Sequence, residues 1–406
     1  MATDRRVDLI VVGGGLTGLT FAAAVAGAGL RTLLIEARPL EVRTDVGFDG
    51  RVTAVAPASR RLLEAIDVWP AVAAEAQPIL DIAVREGGSP LEVHYDHAEL
   101  GAPLGHIVEN RILNSALIAR LRALEGEVLE SLAPASISDL ERTEAEATVR
   151  LAGGGLARAP LVVGADGRGS TVRAAAGIPV RRHDYRQTAL VATFAHTRPH
   201  HGVAVEHFFP SGPFAILPMT GQRSSIVWAA ESGLARELIG LDDGAFTDEV
   251  WERFGDRLGD LDLVGPRFHY PLSLVRAERV AERRVALVGD AAQAIHPIAG
   301  QGWNLGLRDV AGLAEVVVDA ARLGLDHGAP EVLARYARWR RFDAFALVAI
   351  TDGLNRLFAN DVLPLRLARD AGLGAVERIP PLKRFFMRHA AGVLGDLPRI
   401  MRGESL

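Results

Sequence analysis

The chain has 406 residues, more than one ordinary hydrophobic core serves, so two domains or one domain with a large insertion are expected. Its 45 basic and 50 acidic side chains leave a net charge of −5, without the positive excess that nucleic acid requires, so no nucleic-acid partner is expected. Cysteine is absent, which excludes disulfides, iron–sulfur clusters and thiol catalysis.

The opening residues resemble no signal peptide, and no apolar run is long and uninterrupted enough to span a bilayer; a cytoplasmic location is the expectation. Val7 to Val12 reads as a buried strand running into Gly13-x-Gly15-x-x-Gly18. Ala22, Ala26 and Gly29 then fall on or at the end of a helix, and a second strand, Thr32 to Ile35, ends at Glu36. This is the order of a βαβ dinucleotide unit. Gly13 makes the tight turn, Gly15 lets the backbone reach a pyrophosphate, and Gly18 allows close helix–strand packing. Glu36 stands where an acid accepts hydrogen bonds from a ribose diol. The glycines alone are a weak signal, since a ligand-free turn has the same composition; strand, helix, strand and acid in sequence give them weight.

Farther along, a helix is expected near Arg51 to Ile66, a hairpin from Leu80 to Tyr95 around Gly87-Gly-Ser-Pro90, and a helix from Asn114 to Leu124. Leu161-Val-Val-Gly-Ala-Asp166-Gly167 is another apolar strand ending in Asp-Gly, a dipeptide that also forms ordinary turns. Thr188 to Ala230 contains alternating β-rich runs, Val203 to Phe209 and Ser225 to Ala229, separated by turn residues. The apolar run Val285 to Val288 then ends in Gly289-Asp290, followed by a loop with Pro297, Gly300 and Gly302 and a helix from Leu305 to Val318. Strand, carboxylate, glycine loop and helix N-terminus together suit a polar cofactor. The tail from about residue 343 reads as helical, broken at Pro380-Pro381.

The Gly13–Gly18, Asp166-Gly167 and Gly289-Asp290 elements together resemble the flavin motifs of group A FAD-dependent aromatic monooxygenases. Within them, the strings Asp49-Gly-Arg51-Val-Thr-Ala, Gly105-His-Ile-Val-Glu-Asn110, Gly212-Pro-Phe-Ala-Ile-Leu-Pro218 and Tyr270-Pro-Leu272 are similar to the ubiquinone-biosynthesis hydroxylases. Gln293 and Trp303 depart from that pattern, where His and Leu are expected; Trp303 is expected to bear on cavity shape. The resemblance covers nearly the whole chain.

It implies an α/β fold in which a Rossmann-like FAD-binding domain is interleaved with a mainly β substrate domain, followed by a helical C-terminal tail. The implied boundaries are 1–72, 101–179 and 271–345 for the cofactor domain, 73–100 and 180–270 for the substrate sheet, and 346–406 for the tail. The implied cofactor-binding residues are Gly13, Gly15, Leu16, Thr17, Gly18, Glu36, Ala37, Arg51, Asn110, Asp166, Gly289, Asp290, Pro297, Gly300, Gln301, Gly302 and Asn304. Of these, Arg51, Pro297, Gly300 and Gly302 are implied to lie at the reacting flavin ring. FAD is implied to be bound non-covalently, with NADH or NADPH and dioxygen as co-substrates. The implied reaction is hydroxylation of a polyprenylated phenol on the way to ubiquinone, through a flavin hydroperoxide.

Hydroxylation of a soluble aromatic or other natural product stays open at this point, as does a non-catalytic flavin-binding subunit of a quinone-synthesis complex. Halogenation is disfavoured because the Trp-x-Trp-x-Ile-Pro signature is missing. His196, His200, His201 and His207 cluster without matched acids, and no metal site is expected. His296 is read as a structural hydrogen-bonder, Tyr185 and Tyr270 as packing residues or phenol contacts, and Arg181-Arg182 and Arg283-Arg284 as solvated pairs. Residues 378–402 interleave basic and apolar side chains, a pattern expected of an interfacial helix on the inner membrane face or, equally, of a helix packed on the cofactor domain or docked to a partner.

Overall fold

The computed structural model describes residues 4–41, 50–86, 92–209, 211–295, 301–341 and, near the C-terminus, 379, 381, 383, 384, 387, 391, 392 and 395–406. Pro297 and Gly300, with His296, lie outside the described residues, as do 342–378.

The glycine motif follows the central strand, Leu9–Val12, of a parallel sheet ordered Val285–Leu287, Leu161–Gly164, Leu9–Val12, Thr32–Ile35 and Leu129–Leu132, with Ala281–Glu282 added antiparallel to the first of these. Its inner strands Leu161–Gly164, Leu9–Val12 and Thr32–Ile35 are buried at every position and almost wholly apolar because both faces are covered. Leu9, Val11 and Leu34 point to the layer of helices Leu16–Gly27, Asn110–Arg122 and Gln301–Arg322. Ile10, Val12, Leu33 and Ile35 point the other way, onto Leu140, Val149 and Ala157. Those three belong to a second sheet, ordered Asp4–Arg6, Leu156–Ala159, Ala147–Leu151 and Ile137–Arg142, which the sequence reading did not anticipate.

The expected inserted sheet is present and larger than the two runs suggested. Eight strands lie in the order Gln293–Ala294, Leu261–Ala277, Val180–His196, Arg223–Glu231, Gly212–Met219, Val203–Phe209, Asp81–Glu86 and Glu92–Asp96. One face is closed by the helices Ser232–Gly240 and Asp243–Phe254, the latter capped by Asp242, whose carboxylate accepts from the Ala245 N–H at 2.8 Å. The other face looks onto a small sheet of Val52–Val55, Gly105–Glu109 and Gln77–Ile79.

Several expected elements shift. The segment expected as a helix from Arg51 is the strand Val52–Val55 followed by the helix Pro57–Ala65. Pro57 has no N–H to give and suits only the first helical position, so the helix starts there. The helix expected from Asn114 begins at Asn110. Arg284, expected to be solvated, is 3% exposed and holds both oxygens of Asp326, at 2.6 and 2.7 Å. In the tail, Leu397, Ile400 and Met401 pack into the helix-side core, so their apolar surface is spent inside the protein. Arg399 bonds Asp319, and its backbone N–H donates to Glu315 at 2.6 Å. The described part of the tail thus adopts the packed arrangement. Among the described residues no helix is long and apolar enough to cross a membrane.

Candidate cofactor site

Gly15 caps the Leu16–Gly27 helix without a side-chain bond, and the helix has no acid in its first turn, so its positive end is left for an anion. The glycines divide by what surrounds them. A Cβ on Gly13 would lie 2.4 Å from the Ala165 carbonyl oxygen, and one on Gly18 would lie 1.9 Å from that of Gly13. A Cβ on Gly15 would meet nothing within 4 Å. Gly13 and Gly18 therefore hold the loop against the sheet, and Gly15 presents bare backbone to open space. That is the cradle a pyrophosphate needs, and the residues present fit FAD.

Glu36, at the end of its strand, accepts from the Gly14 N–H and, at 2.9 Å, from the Arg38 N–H. A carboxylate has about four acceptor positions, so capacity for a ribose diol remains. Leu16 and Thr17 are half-buried in the first turn of the helix, and Ala37 is exposed beside Glu36. Thr17 also packs on Gly289: a Cβ there would be 2.9 Å from the threonine methyl, and Gly289 has φ +60°, so a side chain is both crowded and strained. Gly306 on the Gln301–Arg322 helix approaches the same point, which draws the first and third motifs together.

Asp290 is half-buried beside Gly289, and Arg168 of the Asp-Gly loop donates to it at 3.2 Å. Asp166 occupies itself differently. Its carboxylate accepts from the Ser170 hydroxyl at 2.5 Å, from the Thr171 N–H at 2.6 Å and from the Val172 N–H at 3.2 Å, so it holds the start of the helix Thr171–Ala175. Asn304 is likewise turned to the backbone. It donates to the Ala54 carbonyl at 2.8 Å and accepts from the Ala56 N–H at 3.0 Å. Asn110 opens its helix with its side-chain oxygen held by the Thr53 hydroxyl at 2.6 Å, and its N–H donates to the carbonyl of the exposed Arg51 at 3.0 Å. Gln301 and Gly302 start the long helix, whose first turn is free of acids. Trp303 packs partly buried on the helix-side core, and Gln293 is paired with Arg276 in a short strand.

Three supporting residues escaped the sequence reading. Arg173, 4% exposed, donates to the Ala291 and Arg168 carbonyls, both at 2.8 Å, and so ties the Asp-Gly loop to the Gly-Asp loop. Asp309 accepts from the Gly289 N–H at 3.0 Å and is itself fixed by Arg340 at 2.6 Å. Glu109, 4% exposed, is bonded by Arg111 at 2.5 Å and by Arg223 of the large sheet at 3.1 Å, joining that sheet to the site. A buried carboxylate demands cations, and the Arg111 two residues away was the only local hint.

Two of the histidines serve as turn bonders: His196 bonds the Arg198 carbonyl at 2.8 Å, and His200 the Met219 carbonyl at 2.9 Å. Among the described residues no group of three or more His, Asp or Glu is arranged to hold a metal. Tyr270 is 40% exposed on the edge of the large sheet, and Tyr185 sits edge-on to His183 at 5.2 Å.

Comparison with known proteins accords with this geometry. Residues 6–351 match the family described as FAD binding domain. The chain is 52% identical over its whole length to "Ubiquinone hydroxylase UbiL" of Rhodospirillum rubrum, covering 95% of that protein. It is 35% identical to "3-demethoxyubiquinol 3-hydroxylase" of Escherichia coli over 96% of this chain and all of the relative. The fold is shared with the p-nitrophenol 4-monooxygenase of Pseudomonas putida, at a TM-score of 0.79 and 20% identity over 96% of this chain and 99% of that one. The chain belongs to the FAD-dependent monooxygenases of the ubiquinone hydroxylase family.

Proposed function

We propose that this enzyme hydroxylates the aromatic ring of a polyprenylated phenol during ubiquinone formation, using NADH or NADPH and dioxygen. The observation that carries the reading is the 52% identity along the entire chain to a ubiquinone hydroxylase. The open apolar face of the large sheet, set beside the cofactor elements, supports it.

In balance, one ring C–H becomes C–OH, and the second oxygen atom leaves as water, formed with a hydride from the nicotinamide and a proton from solvent. FAD, when bound, supplies the electron transfer and the oxygen chemistry. The chain does the rest. Gly13, Gly15 and Gly18 with the helix end hold the pyrophosphate, and Glu36 takes the ribose. Asp290 takes the ribityl chain, for which Arg168 must yield one carboxylate position. Arg51, Asn110 and Gly302 lie toward the ring, with the N-terminus of the Gln301–Arg322 helix favouring negative charge there. The half-buried apolar face excludes water and receives the substrate ring. Asp166 and Asn304 act by fixing backbone around the cofactor rather than by touching it.

We assign the cofactor domain to 1–72, 101–179 and 271–345, the substrate domain to 73–100 and 180–270, and the tail to 346–406. A polyprenyl tail calls for delivery from a membrane surface, and basic residues of the tail such as the exposed Arg384 are the proposed contact on the inner face.

Turnover under labelled dioxygen tests the reaction. The product hydroxyl should carry the label; label arriving from water, or no substrate-dependent oxygen uptake, overturns the reading. Lys383 is buried and paired with Glu99, so sedimentation with anionic vesicles, before and after Arg384 and Arg388 are changed to Glu, tests the membrane contact separately. An unchanged pellet removes it.

A further inference from the structure

Glu206 lies on the Val203–Phe209 strand, directly across from Ala215 on one side and Val84 on the other. Ala215 pairs with Val227, Val227 with Val191, and Val191 with Phe268. These residues form one cross-strand row, and Glu206 is its only polar member.

Side chains alternate across a sheet, so the row occupies the face opposite Val205, Phe214, Ile226 and Leu190, which are sealed under helices. Two contacts place this face beside the cofactor elements. Ala204, two residues before Glu206, packs with Ile79 and Ile107 of the small sheet. At the other end of the row, a Cβ on Gly50, the residue before Arg51, would lie 2.5 Å from the Phe268 ring. Val84, Val191, Val227 and Phe268 are each only half-buried, so the row borders open space rather than a packed interior.

Among the described residues nothing bonds the Glu206 carboxylate. Of the charged groups carried by elements around this face, Glu109 is bonded to Arg111 and Arg223, and Lys383 to Glu99. The Tyr95 phenol is on the same face, near the small sheet. Burial alone pushes the Glu206 carboxyl up to about 8. Glu206 is itself half-buried, so water can reach its carboxyl in the free protein; once an apolar ligand closes over the row, a hydroxyl on that ligand is what would take the water's place.

We propose that Glu206 is the polar anchor of the substrate cavity, hydrogen-bonding an oxygen substituent of the aromatic ring and so fixing which ring carbon faces the flavin. This rests on the function proposed above. Below pH about 8 the neutral acid donates and accepts; above it only acceptance remains.

The test uses the FAD-loaded enzyme with a short-chain prenylated phenol. Glu206→Leu should lower kcat/KM by about ten- to a hundredfold, as expected for losing one such hydrogen bond, and should release hydrogen peroxide in place of product. Glu206→Gln keeps a donor and an acceptor. It should stay within about threefold of the parent at neutral pH and lose the inflection near pH 8 in kcat/KM. FAD content and unfolding temperature are read for both variants; if the Leu variant fails to fold, the Gln pH profile decides. Product from the parent together with unaltered coupling in Glu206→Leu, or an unchanged inflection in Glu206→Gln, overturns the proposal. Absence of labelled product from the parent overturns the function itself, a distinct result.

Discussion

Glu206 and His207 are neighbours on one strand, yet they face different worlds. His207 points under the helices, where both its ring nitrogens are buried without partners and burial, with Arg85 and Arg257 nearby, pulls it down to about 4. Glu206 points to the half-buried apolar row, where burial pushes it up to about 8. Near neutral pH each is kept in its uncharged form, for the same reason: an apolar surrounding disfavours charge. The difference lies in what surrounds them. His207 borders a small cavity hemmed in by Arg85, Arg257, Ile216 and Phe254; around Glu206 the neighbouring valines are partly open. One face of the sheet is finished by the protein's own side chains, and the other is left for a ligand to finish.

The strongest way to break that comparison is to hollow out the finished face. Trp228 is fully buried, packed edge-on to Phe214 at 5.6 Å and under the Arg253 guanidinium at 4.0 Å. Trp228→Ala should cost about 3–5 kcal/mol of stability, seen as a large fall in denaturation midpoint. Val227→Ala, one residue back and on the open face, should cost about 1 kcal/mol or less. It should instead change which prenylated phenols are turned over. Equal stability losses in the two would mean the faces are not different in kind.

The glycine loop repeats the contrast on a smaller scale. Gly15→Val projects into open space from a backbone at φ −73°, which any residue adopts, so stability should move by no more than about 0.5 kcal/mol. FAD affinity should nevertheless drop by roughly ten- to a hundredfold, because the side chain occupies the path of the pyrophosphate. Gly18→Val, whose Cβ would meet the Gly13 carbonyl at 1.9 Å, should lose folded protein first. Flavin absorbance on the purified variants, with calorimetry alongside, separates the two. Retention of FAD by Gly15→Val would move the pyrophosphate away from this loop.

What was legible in the sequence was local. Leu9–Val12, the glycines and Thr32–Ile35 lie within a few tens of residues, and their order alone specifies strand, turn and helix. The Ile137–Arg142 and Ala147–Leu151 strands were missed because charged residues such as Asp139, Glu141 and Arg150 interrupt them, leaving a weak alternating signal. Asp166 and Asn304 were expected at the cofactor; that each also holds nearby backbone was not legible, because a polar residue beside a glycine loop reads the same whether it meets a ligand or a backbone N–H. Glu109 needed Arg223, and Glu206 needed knowledge of which sheet face stays open. Both depend on pairings far apart in the chain, which no local pattern encodes.

The smallest expected effect is the pH response of stability, and its sign differs between the two faces. For His207 the folded pKa, about 4, lies below the ordinary 6.5. Its contribution is therefore full above pH 6.5 and is lost as pH falls through 4. For Glu206 the folded value, about 8, lies above the ordinary 4.5, so its contribution is full below pH 4.5 and is lost as pH rises through 8. His106, also drawn down to about 4 by burial and by Arg60, adds to the acid side and will keep part of that slope in any His207 variant. Unfolding midpoints measured across this range should show His207→Leu flattening only the acid limb and Glu206→Gln only the alkaline limb. If one substitution flattened both limbs, the two residues would share a single environment. The sheet between them would then not separate a sealed core from a ligand-facing surface.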